Sequence, residues 1–551
     1  MRPASASLLR FLIWALCVSQ GLVYIVTTPL WEGWDEAFHY GYIQTLAETR
    51  SLPVYGDAIL PNEVTASFEF APLSYGANLN VDSRFTIFAE YWKLPPEERR
   101  RRAAQLRAIH GGDVPSAASQ FQNYEAHQAP LYYVLASGVY SLFSTHDLLT
   151  RAFMLRLFSL LIGSLTIPIA FAMVGYAGTK RHLKTIPVLL VLLPLLYPTI
   201  ARIANDSLGV PLFSALVLLV LRYFARSSTW KDAIGIGVIL GLGLLTKAYF
   251  LTALPALGLI FLLAMFTGRT RGQFAAHGCS IVVLAIVIAG PWYARNYALY
   301  DNLSGMQEVT RTSDLSLLDR VAGVTRVEWS SSLWAMLRQH IWIGNTSLLA
   351  LSRTTYRVGY LLIFLAILGA GKAVIAWLKL PIAEKKSIGS NPSMAILGIF
   401  YVFFVLGVLY HMLANYLLLG VPDGTGGWYL YAVIVPEIIL LVRGLESLVG
   451  GRAAPASNVV LIAYALVANL VSLLCKTLPA YGGFIVPRFH LSHFLELYSP
   501  SGFRVLMENL ALNKPGFVTP GVIAIALGVS LAFLVVSLVC VAYSRPTESG
   551  S

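Results

Sequence analysis

Three carboxylates follow the first hydrophobic segment of the chain in close succession. Glu32, Asp35 and Glu36 belong to the stretch Trp-Glu-Gly-Trp-Asp-Glu-Ala-Phe-His-Tyr at residues 31–40. Carboxylates at a membrane–water boundary are costly to keep, and the neighbouring Trp and Tyr residues are typical of that boundary. A carboxylate placed there can accept a proton from a hydroxyl or amine nucleophile. We therefore expect the chemistry of this protein close to Asp35 and Glu36.

Other polar residues interrupt apolar segments further along the chain. They are Asn205 and Asp206 in a short turn, Lys247 at the end of an apolar run, Arg295 after Pro-Trp-Tyr, and His127 before Gln-Ala-Pro. A carboxylate that activates a nucleophile, together with cations that hold an anionic group, suits a group-transfer reaction. The spacing of these residues therefore predicts one site that combines acids and bases.

Each of these residues also has a purely structural explanation. Asp35 and Asp206 could cap the helices that follow them, because Asp is favoured at that position. Lys247 could lay its stem along apolar surface and keep its ammonium at the interface. Arg295 could be an ordinary interface anchor. His127 is a weaker candidate, and the histidines show no metal-ligand spacing, so no metal site is predicted.

The composition places most of the chain in lipid. It has 551 residues, of which 56% are hydrophobic and 12% are charged, whereas soluble domains carry about 25% charged residues. The net charge of +12 is spread over short basic clusters between apolar runs, a pattern typical of membrane loops that argues against a nucleic-acid groove. Cys17, Cys279, Cys475 and Cys540 lie far apart and predict no disulfide framework.

Apolar runs of about 17–25 residues have the length that a membrane helix needs. They predict an all-α polytopic membrane protein with about 12 transmembrane helices, and we place these near residues 8–28, 156–177, 185–202, 207–224, 232–248, 249–266, 274–292, 357–378, 393–413, 428–447, 456–474 and 518–541. The first run is long for a signal peptide and lacks a clear cleavage site, so we interpret it as an uncleaved helix.

Basic clusters between these runs predict the topology, because cytoplasmic loops are enriched in Lys and Arg. The clusters that we assign to the cytoplasm are 180–184, 222–231, 269–271, 379–386 and 443–452. The segments that we then assign to the outer face are residues 29–155, 203–206, 293–356, 414–427 and 475–517. Residues 131–143 are apolar but short, which favours an interfacial or re-entrant helix within the first outer loop.

We predict two regions from this pattern. Residues 1–300 would form a catalytic transmembrane module that includes the large outer loop 29–155. Residues 301–551 would form a C-terminal transmembrane region with the outer loops 293–356 and 475–517.

Taken in order over about residues 8–300, the motifs resemble the GT-C superfamily of membrane glycosyltransferases. Within it they are similar to the protein O-mannosyltransferases that use dolichyl-phosphate mannose, and to the aminoarabinose or mannosyl transferases of bacterial envelopes.

The matching motifs begin in the first outer loop, where Asp35-Glu36 matches an acidic pair. His-Gln-Ala-Pro-Leu-Tyr-Tyr at 127–133 resembles a His-Pro-Pro-Leu segment with Gln-Ala in place of the first Pro and its neighbour. The other matching segments are Arg-Leu-Phe-Ser at 156–159, Asn-Asp-Ser at 205–207, Leu-Thr-Lys at 245–247 and Pro-Trp-Tyr-Ala-Arg-Asn at 291–296. Further on, Gly-Trp-Tyr-Leu at 427–430 is similar to an Arg-Tyr-Leu segment but lacks its Arg.

This resemblance implies that a hexose or pentose is transferred, with inversion, from a polyprenyl-phosphate donor. Asp35 would be the general base. Glu36 or Asp206 would orient the acceptor or, as in metal-using relatives, help to hold a divalent cation, although we expect a metal-independent reaction. Lys247 and Arg295 would bind the donor phosphate.

The resemblance also implies substrate-binding residues, partners and a location. The substrate-binding residues would be His127, Asn205, Trp428 and Tyr429. The partners would be the lipid-linked sugar donor, a lipid, glycan or protein acceptor and membrane lipids, with no nucleic acid. The protein would be in the inner membrane of a bacterium, with its active site facing the periplasm.

Two other classes of protein are compatible with a chain of about twelve helices. A transporter or lipid flippase is disfavoured because the charges lie at one boundary and no internal repeat is visible. An O-antigen ligase or polymerase is disfavoured because its large outer loop comes late in the chain, whereas here the main one follows the first helix.

Overall fold

The computed structural model describes residues 6–76, 85–110, 121–177, 182–226, 228–267, 271–312, 314–379, 392–421, 424–484 and 490–543. Over these ranges the chain forms helices and connecting turns, and its only β-type pairings are isolated bridges such as Ile59 with Gln122. The fold is therefore an all-α, polytopic membrane fold, as the composition predicts.

Within the described ranges, nine helical segments are long and apolar enough to cross a membrane. They are Ser7–Thr27, Leu148–Ala177, Asp206–Ala225, Ala248–Phe266, Arg271–Tyr300, Arg353–Lys379, Ser393–Leu419, Ala454–Tyr481 and Pro520–Tyr543. A helix rises about 1.5 Å per residue, so about 20 residues cross the hydrocarbon core of about 30 Å.

The other three predicted spans are occupied by shorter helices. Residues 185–202 form His182–Leu192 and Leu196–Ile200, with Pro194 between them. Trp230–Leu244 has 15 residues and Ile434–Val449 has 16. Helices of this length fall short of the hydrocarbon core, so the number of twelve stays a prediction.

The connecting segments contain short helices. Their bounds are Glu36–Thr49, Asn62–Phe70, Phe88–Tyr91, Pro96–Arg107, Leu131–Leu142, Gln307–Thr310, Leu317–Val324, Trp329–Ile341, Leu491–Leu497 and Pro500–Ala511, with 3₁₀ turns at Tyr124–His127, Asn345–Ser347, Gly427–Val433 and Gly451–Ala453. The apolar helix Leu131–Leu142 has 12 residues, about 18 Å, and is too short to span. Of the basic clusters, residues 180–181, 227, 269–270 and 380–386 lie outside the described part of the chain, and the membrane sidedness stays a prediction.

Two packing features bring distant parts of the chain to one end of the helices. The buried side chains of the first connecting segment form a core of their own, which also includes Ile203 and Leu208 next to the start of Asp206–Ala225. The turn Gly427–Val433 packs against that same helix, and Pro520–Tyr543 packs along the first helix. Residues from both sides of position 300 therefore pack together, and the division into two regions stays a prediction.

Candidate active site

Asp35 lies directly before the helix Glu36–Thr49, in a left-handed backbone conformation with φ of 59°. Its side chain makes no capping hydrogen bond to that helix, so capping does not explain it. Oδ1 accepts a hydrogen bond of 2.5 Å from the Tyr124 hydroxyl. Oδ2 accepts none from the described residues, and the side chain is partly exposed. Asp35 therefore keeps one carboxylate oxygen available to a ligand.

Glu36, the next residue, is held in a closed ion pair. Its carboxylate accepts hydrogen bonds from Arg156 Nε at 2.7 Å and Nη2 at 2.5 Å, and Oε1 also accepts from the backbone N–H of Ile203 at 3.1 Å. Arg156 donates in addition to the carbonyls of Thr28 and Pro29. Glu36 is 1% exposed. The Glu36–Arg156 pair therefore joins the end of the first helix, the helix Glu36–Thr49 and the segment Leu148–Ala177.

Asp206 lies between two cations. Its Oδ2 accepts from Arg202 Nη2 at 2.7 Å, and its Oδ1 accepts from Lys247 Nζ at 2.8 Å. All three side chains are buried. Lys247 stands in extended backbone after the helix Trp230–Leu244, which brings its ammonium back to the start of the helix Asp206–Ala225. The cluster carries one net positive charge when all three groups are ionised.

Aromatic rings from both halves of the chain cover this cluster. Trp34 and Trp428 stack with their ring centroids 4.5 Å apart, and the Arg202 guanidinium lies 5.9 Å from the Trp428 centroid. Lys247 Nζ lies 5.3 Å from the centroid of Tyr429. Rings in these positions attract the cations and can also accept the apolar face of a ligand.

Gly33 permits the close packing of this region. A Cβ atom at Gly33 would lie 3.1 Å from Arg202 Cβ and 3.2 Å from Glu36 Cδ. A side chain at this position would therefore require Arg202 or Glu36 to shift by a few tenths of an ångström.

A further carboxyl group, that of Glu125, is buried beside Asp35. Burial, followed by the negative charge of Asp35, raises the pKa of Glu125 to about 8. Its Oε2 has no hydrogen-bond partner among the described residues and lies 3.8 Å from His39 Nδ1. Burial, with Lys247 and Arg202 nearby, holds the pKa of His39 well below its usual value. At neutral pH we therefore expect both groups to be uncharged.

His127 and Asn205 belong to a polar network that joins three segments. His127 Nδ1 donates to the Tyr124 carbonyl at 2.6 Å, and Gln128 Nε2 lies 3.2 Å from its Nε2. Asn205 Nδ2 donates to Gln128 Oε1 at 2.9 Å and to the Thr246 carbonyl at 3.1 Å. Asn205 Oδ1 is buried, has no hydrogen-bond partner among the residues that the structure describes, and could still accept a hydrogen bond from a ligand.

Arg295 stands apart from the charged cluster. It donates to the carbonyl of Pro53 at 3.0 Å, and its guanidinium lies 5.0 Å from the Trp292 centroid. It makes no ion pair with Asp35 or Asp206, whose carboxylates are the nearest candidates among the site residues. Its Nη1 is buried and has no hydrogen-bond partner among the described residues, so one donor is left for another group.

Glu32, the first acid of the motif, points away from Asp35. Its Oε1 accepts hydrogen bonds of 3.0 Å from the Ser347 backbone and the Tyr481 hydroxyl. Burial raises the pKa of Glu32 to about 7. Across the described residues there is no group of three His, Cys, Asp or Glu side chains that could hold a metal ion, and metal dependence stays a prediction.

Three residues of the site were not identified as candidates from the sequence. Arg202 is four residues before Asp206, a spacing that places two side chains on one face of a helical turn. Glu125 is two residues before His127, in the stretch Phe-Gln-Asn-Tyr-Glu-Ala-His at 121–127. His39 gave no usable signal, because only the fold brings it near Glu125.

A comparison with protein families matches part of the chain. Residues 127–293 match the family described as dolichyl-phosphate-mannose-protein mannosyltransferase. The matched segment contains His127, Asn205, Asp206 and Lys247. It confirms the resemblance to GT-C glycosyltransferases for this part of the chain. No curated protein matches.

The chain also has a low similarity to several solved structures. ArnT from Cupriavidus metallidurans bound to undecaprenyl phosphate has 14% identity and a TM-score of 0.40, over 87% of this chain and 74% of that one. The S. cerevisiae Pmt1-Pmt2 complex bound to the sugar donor has 12% identity and a TM-score of 0.33, over 54% and 34%. The Archaeoglobus fulgidus oligosaccharyltransferase complex with Zn and sulfate has 13% identity and a TM-score of 0.41, over 92% and 62%. At these values the likenesses carry no conclusion about the reaction.

Proposed function

We propose that this protein is a GT-C-type glycosyltransferase that moves a sugar from a polyprenyl-phosphate donor to an acceptor, with Asp35 as the general base. One observation carries the proposal. Asp35 keeps a carboxylate oxygen that no described residue occupies, whereas both oxygens of Glu36 and both of Asp206 are paired. The family match over residues 127–293 supports the reaction class.

The proposed step is a single displacement at the anomeric carbon. The acceptor oxygen or nitrogen forms the new bond to that carbon while the bond to the phosphate oxygen breaks. Asp35 takes the proton of the acceptor, and the electron pair of the broken bond stays on the departing phosphate. One displacement inverts the configuration of a hexosyl or pentosyl group.

The cations of the site suit the departing phosphate. Lys247 and Arg202 are held in place by Asp206, which limits the reorganisation needed when negative charge develops. Arg202 Nε and Arg295 Nη1 are buried donors without hydrogen-bond partners in the described part of the chain, and a phosphate oxygen would satisfy such donors. We assign Lys247 and Arg295 to the phosphate, with Arg202 beside Lys247, and Asp206 orients these cations.

The remaining assignments concern the substrate-binding residues, the acceptor and its membrane, and a divalent cation. Trp428 and Tyr429 provide ring faces next to the cations, and His127 and Asn205 lie beside them in the Gln128 network. The acceptor would be a lipid, glycan or protein at the outer face of a bacterial inner membrane. In metal-using relatives a divalent cation would share the site, and Glu36 is then a poor ligand because Arg156 already occupies its carboxylate.

The cations can be tested by native mass spectrometry of gently solubilised protein. We expect the wild type to retain a polyprenyl phosphate or its sugar adduct, and Lys247→Gln and Arg295→Gln to bind it about tenfold more weakly, the loss of a charge-assisted hydrogen bond. Lys93→Gln and Arg311→Gln are the controls, because both remove exposed cations.

The result also decides between the classes of function. An adduct that is lost in the two site variants and kept in the controls supports the transferase and gives the mass of the sugar. A wild type that binds no polyprenyl phosphate, even when the lipid is added back, contradicts the proposal and favours a transporter.

A further inference from the structure

A cleft lies beside the C-terminal half of the helix Glu36–Thr49. One wall is a face of this helix, and the other is the segment 53–63 that follows it. The helix residues in the wall are Gln44, Thr45, Glu48 and Thr49. The cavity volume is about 610 Å³, within the range of about 300–1,000 Å³ that ligand pockets occupy. The cleft is therefore large enough for a small organic molecule.

Gln44 brings an unsatisfied acceptor to this wall. The residue is 4% exposed, and its Nε2 donates to Glu48 Oε1 at 2.9 Å. Its Oε1 is buried and has no hydrogen-bond partner among the described residues. An unpaired buried oxygen costs free energy, and such a group requires an explanation. Because Glu48 already orients Nε2, the amide offers an acceptor to an occupant of the cleft.

The carboxylates of the cleft are not balanced by an equal number of cations. Glu63 accepts from Arg151 Nη2 at 2.6 Å and from the Tyr40 hydroxyl at 3.1 Å. Glu48 Oε1 accepts from the Tyr140 hydroxyl at 2.8 Å, and this hydroxyl accepts in turn from Arg151 Nη1. Two carboxylates therefore share one guanidinium, and the network carries one net negative charge when all three groups are ionised.

The rest of the lining adds no cation. Among the described residues that line the cleft there is no Lys, Arg or His. Asp57, a third carboxylate, is exposed at the mouth, where solvent screens its charge, and no contact is assigned to it. The apolar side chains of the second wall are those of Pro53, Val54, Ala58, Ile59, Leu60 and Pro61. An occupant that fits this lining has a positive charge, N–H donors and a short apolar part.

We propose that the cleft binds the primary ammonium group of an organic amine. The ammonium donates to Gln44 Oε1 and to the carboxylate of Glu48, of which only Oε1 is hydrogen-bonded within the described part of the chain. A primary ammonium has three N–H donors, and its hydrogen bonds to a carboxylate are charge-assisted. Its charge balances the network, and the carbon chain of the amine lies against the apolar wall.

The cleft is distinct from the acidic site at Asp35. Gln44 is nine positions after Asp35, over which a helix rises about 14 Å, so an amine held by Gln44 is not the group that reacts at Asp35. The two places are joined through Pro53, which lines the cleft and whose carbonyl accepts from Arg295 at 3.0 Å. Binding in the cleft does not depend on the proposed transfer, so the two proposals can fail separately.

The experiment is saturation-transfer NMR with the full chain in phosphatidylcholine nanodiscs at pH 7. The probes are n-butylamine, 1-butanol, which has no charge, and butyltrimethylammonium, which has the charge but no N–H group. We expect n-butylamine to bind to the wild type. The other two probes should each bind about tenfold more weakly, because neither can donate a charge-assisted hydrogen bond.

Two variants locate the bound amine. Gln44→Leu and Glu48→Gln should each lower the affinity for n-butylamine about tenfold, the loss of a hydrogen bond to a charged group. Gln20→Leu and Glu90→Gln are the matched controls, because Gln20 is a buried amide and Glu90 an exposed carboxylate, and neither lines the cleft. If Gln44→Leu does not fold, Glu48→Gln tests the same site at an exposed position.

Further arms separate the cleft from the acidic site and identify the source of the amine. Asp35→Asn should bind n-butylamine as the wild type does. Competition by phosphatidylethanolamine, added to the nanodiscs, assigns the ammonium to a lipid headgroup, and no competition assigns it to a soluble amine.

The proposal is overturned if the wild type binds no n-butylamine, because Gln44 then holds water alone. It is also overturned if 1-butanol or butyltrimethylammonium binds as tightly as n-butylamine, or if both cleft variants bind as the wild type does. A wild type that transfers sugar but binds no n-butylamine contradicts this proposal and leaves the proposed function intact.

Discussion

Two groups of ionisable side chains meet at the consecutive residues Asp35 and Glu36, and they differ in how many of their polar atoms have hydrogen-bond partners. On the Glu36 side, both carboxylate oxygens and all three guanidinium nitrogens of Arg156 have hydrogen-bond partners. On the Asp35 side, the buried atoms Glu125 Oε2 and Arg202 Nε have none among the described residues. Of the partly exposed Asp35, only Oδ1 is hydrogen-bonded, to the Tyr124 hydroxyl. The polar atoms of the first group are therefore hydrogen-bonded without a ligand, whereas the second group keeps polar atoms that a ligand could bind.

We propose that this difference separates a structural ion pair from a reactive site. A fully paired buried ion pair holds segments in place, and breaking it is costly. Unpaired buried polar groups cost free energy and persist where a ligand or a proton transfer uses them. The carboxylate that looks equivalent to Asp35 in the sequence therefore has a different task in the fold, and three substitutions test that difference.

Asp35→Asn should have the largest effect, on activity alone. Removal of a general base lowers the rate of transfer by about 10²–10⁴-fold. Asn keeps the acceptor for the Tyr124 hydroxyl and tolerates the left-handed backbone at φ 59°, so the melting temperature should not change. The measurement is incorporation of labelled sugar from the adduct identified by mass spectrometry.

Asp57→Asn is the control for this substitution, because Asp57 is an exposed carboxylate of the same connecting segment. A rate of sugar transfer in Asp35→Asn equal to that in Asp57→Asn would rule out Asp35 as the base. The proposed difference in role between Asp35 and Glu36 would then lose its support.

Glu36→Gln should act on stability. The charge of Arg156 would stay buried without a carboxylate, at a cost of about 3–5 kcal/mol in the free energy of unfolding. Glu90→Gln is the matched control, since Glu90 pairs with Lys93 at side-chain exposures of 57% and 70% and such a surface pair contributes only about 0–1 kcal/mol. Thermal unfolding of both variants gives the comparison. A Glu36→Gln protein with unchanged stability and no transfer would instead place Glu36 in contact with the substrate.

The smallest expected effect is the change in stability with pH that the carboxyl group of Glu125 causes. Its pKa is about 8 in the folded chain against 4.5 for the ordinary group, so between these values the folded state binds more protons than the unfolded state. The free energy of unfolding should therefore fall as the pH rises through this window, by up to about 1.4 kcal/mol per pH unit. Melting temperatures from pH 5 to pH 8 measure the slope.

Glu125→Gln should flatten this slope, because the amide does not titrate. Glu32→Gln serves as a comparison, since the Glu32 pKa of about 7 predicts a contribution that ends at lower pH. A slope in Glu125→Gln equal to that of the wild type would show that Glu125 is ionised in the folded state.

Much of the fold could be predicted from local patterns, and the pairing within the site could not. The helix Pro96–Arg107 follows from prolines and acids at its start, and most of the long apolar runs became long helices. Lys247 and Asp206 were predicted to lie on one side, but their direct ion pair involves residues 41 positions apart. Arg295 was assigned to the same group of cations, yet its partner is the Pro53 carbonyl.

The sequence by itself determined that this is an all-α membrane protein with acids after the first helix and cations further along, because hydrophobic length and residue type are local properties. The tertiary structure alone decided which acid is free. Arg156 reaches Glu36 across 120 positions and the Ile203 backbone reaches it across 167. Packing of distant helices, not spacing along the chain, saturates Glu36 and leaves Asp35 with an open oxygen.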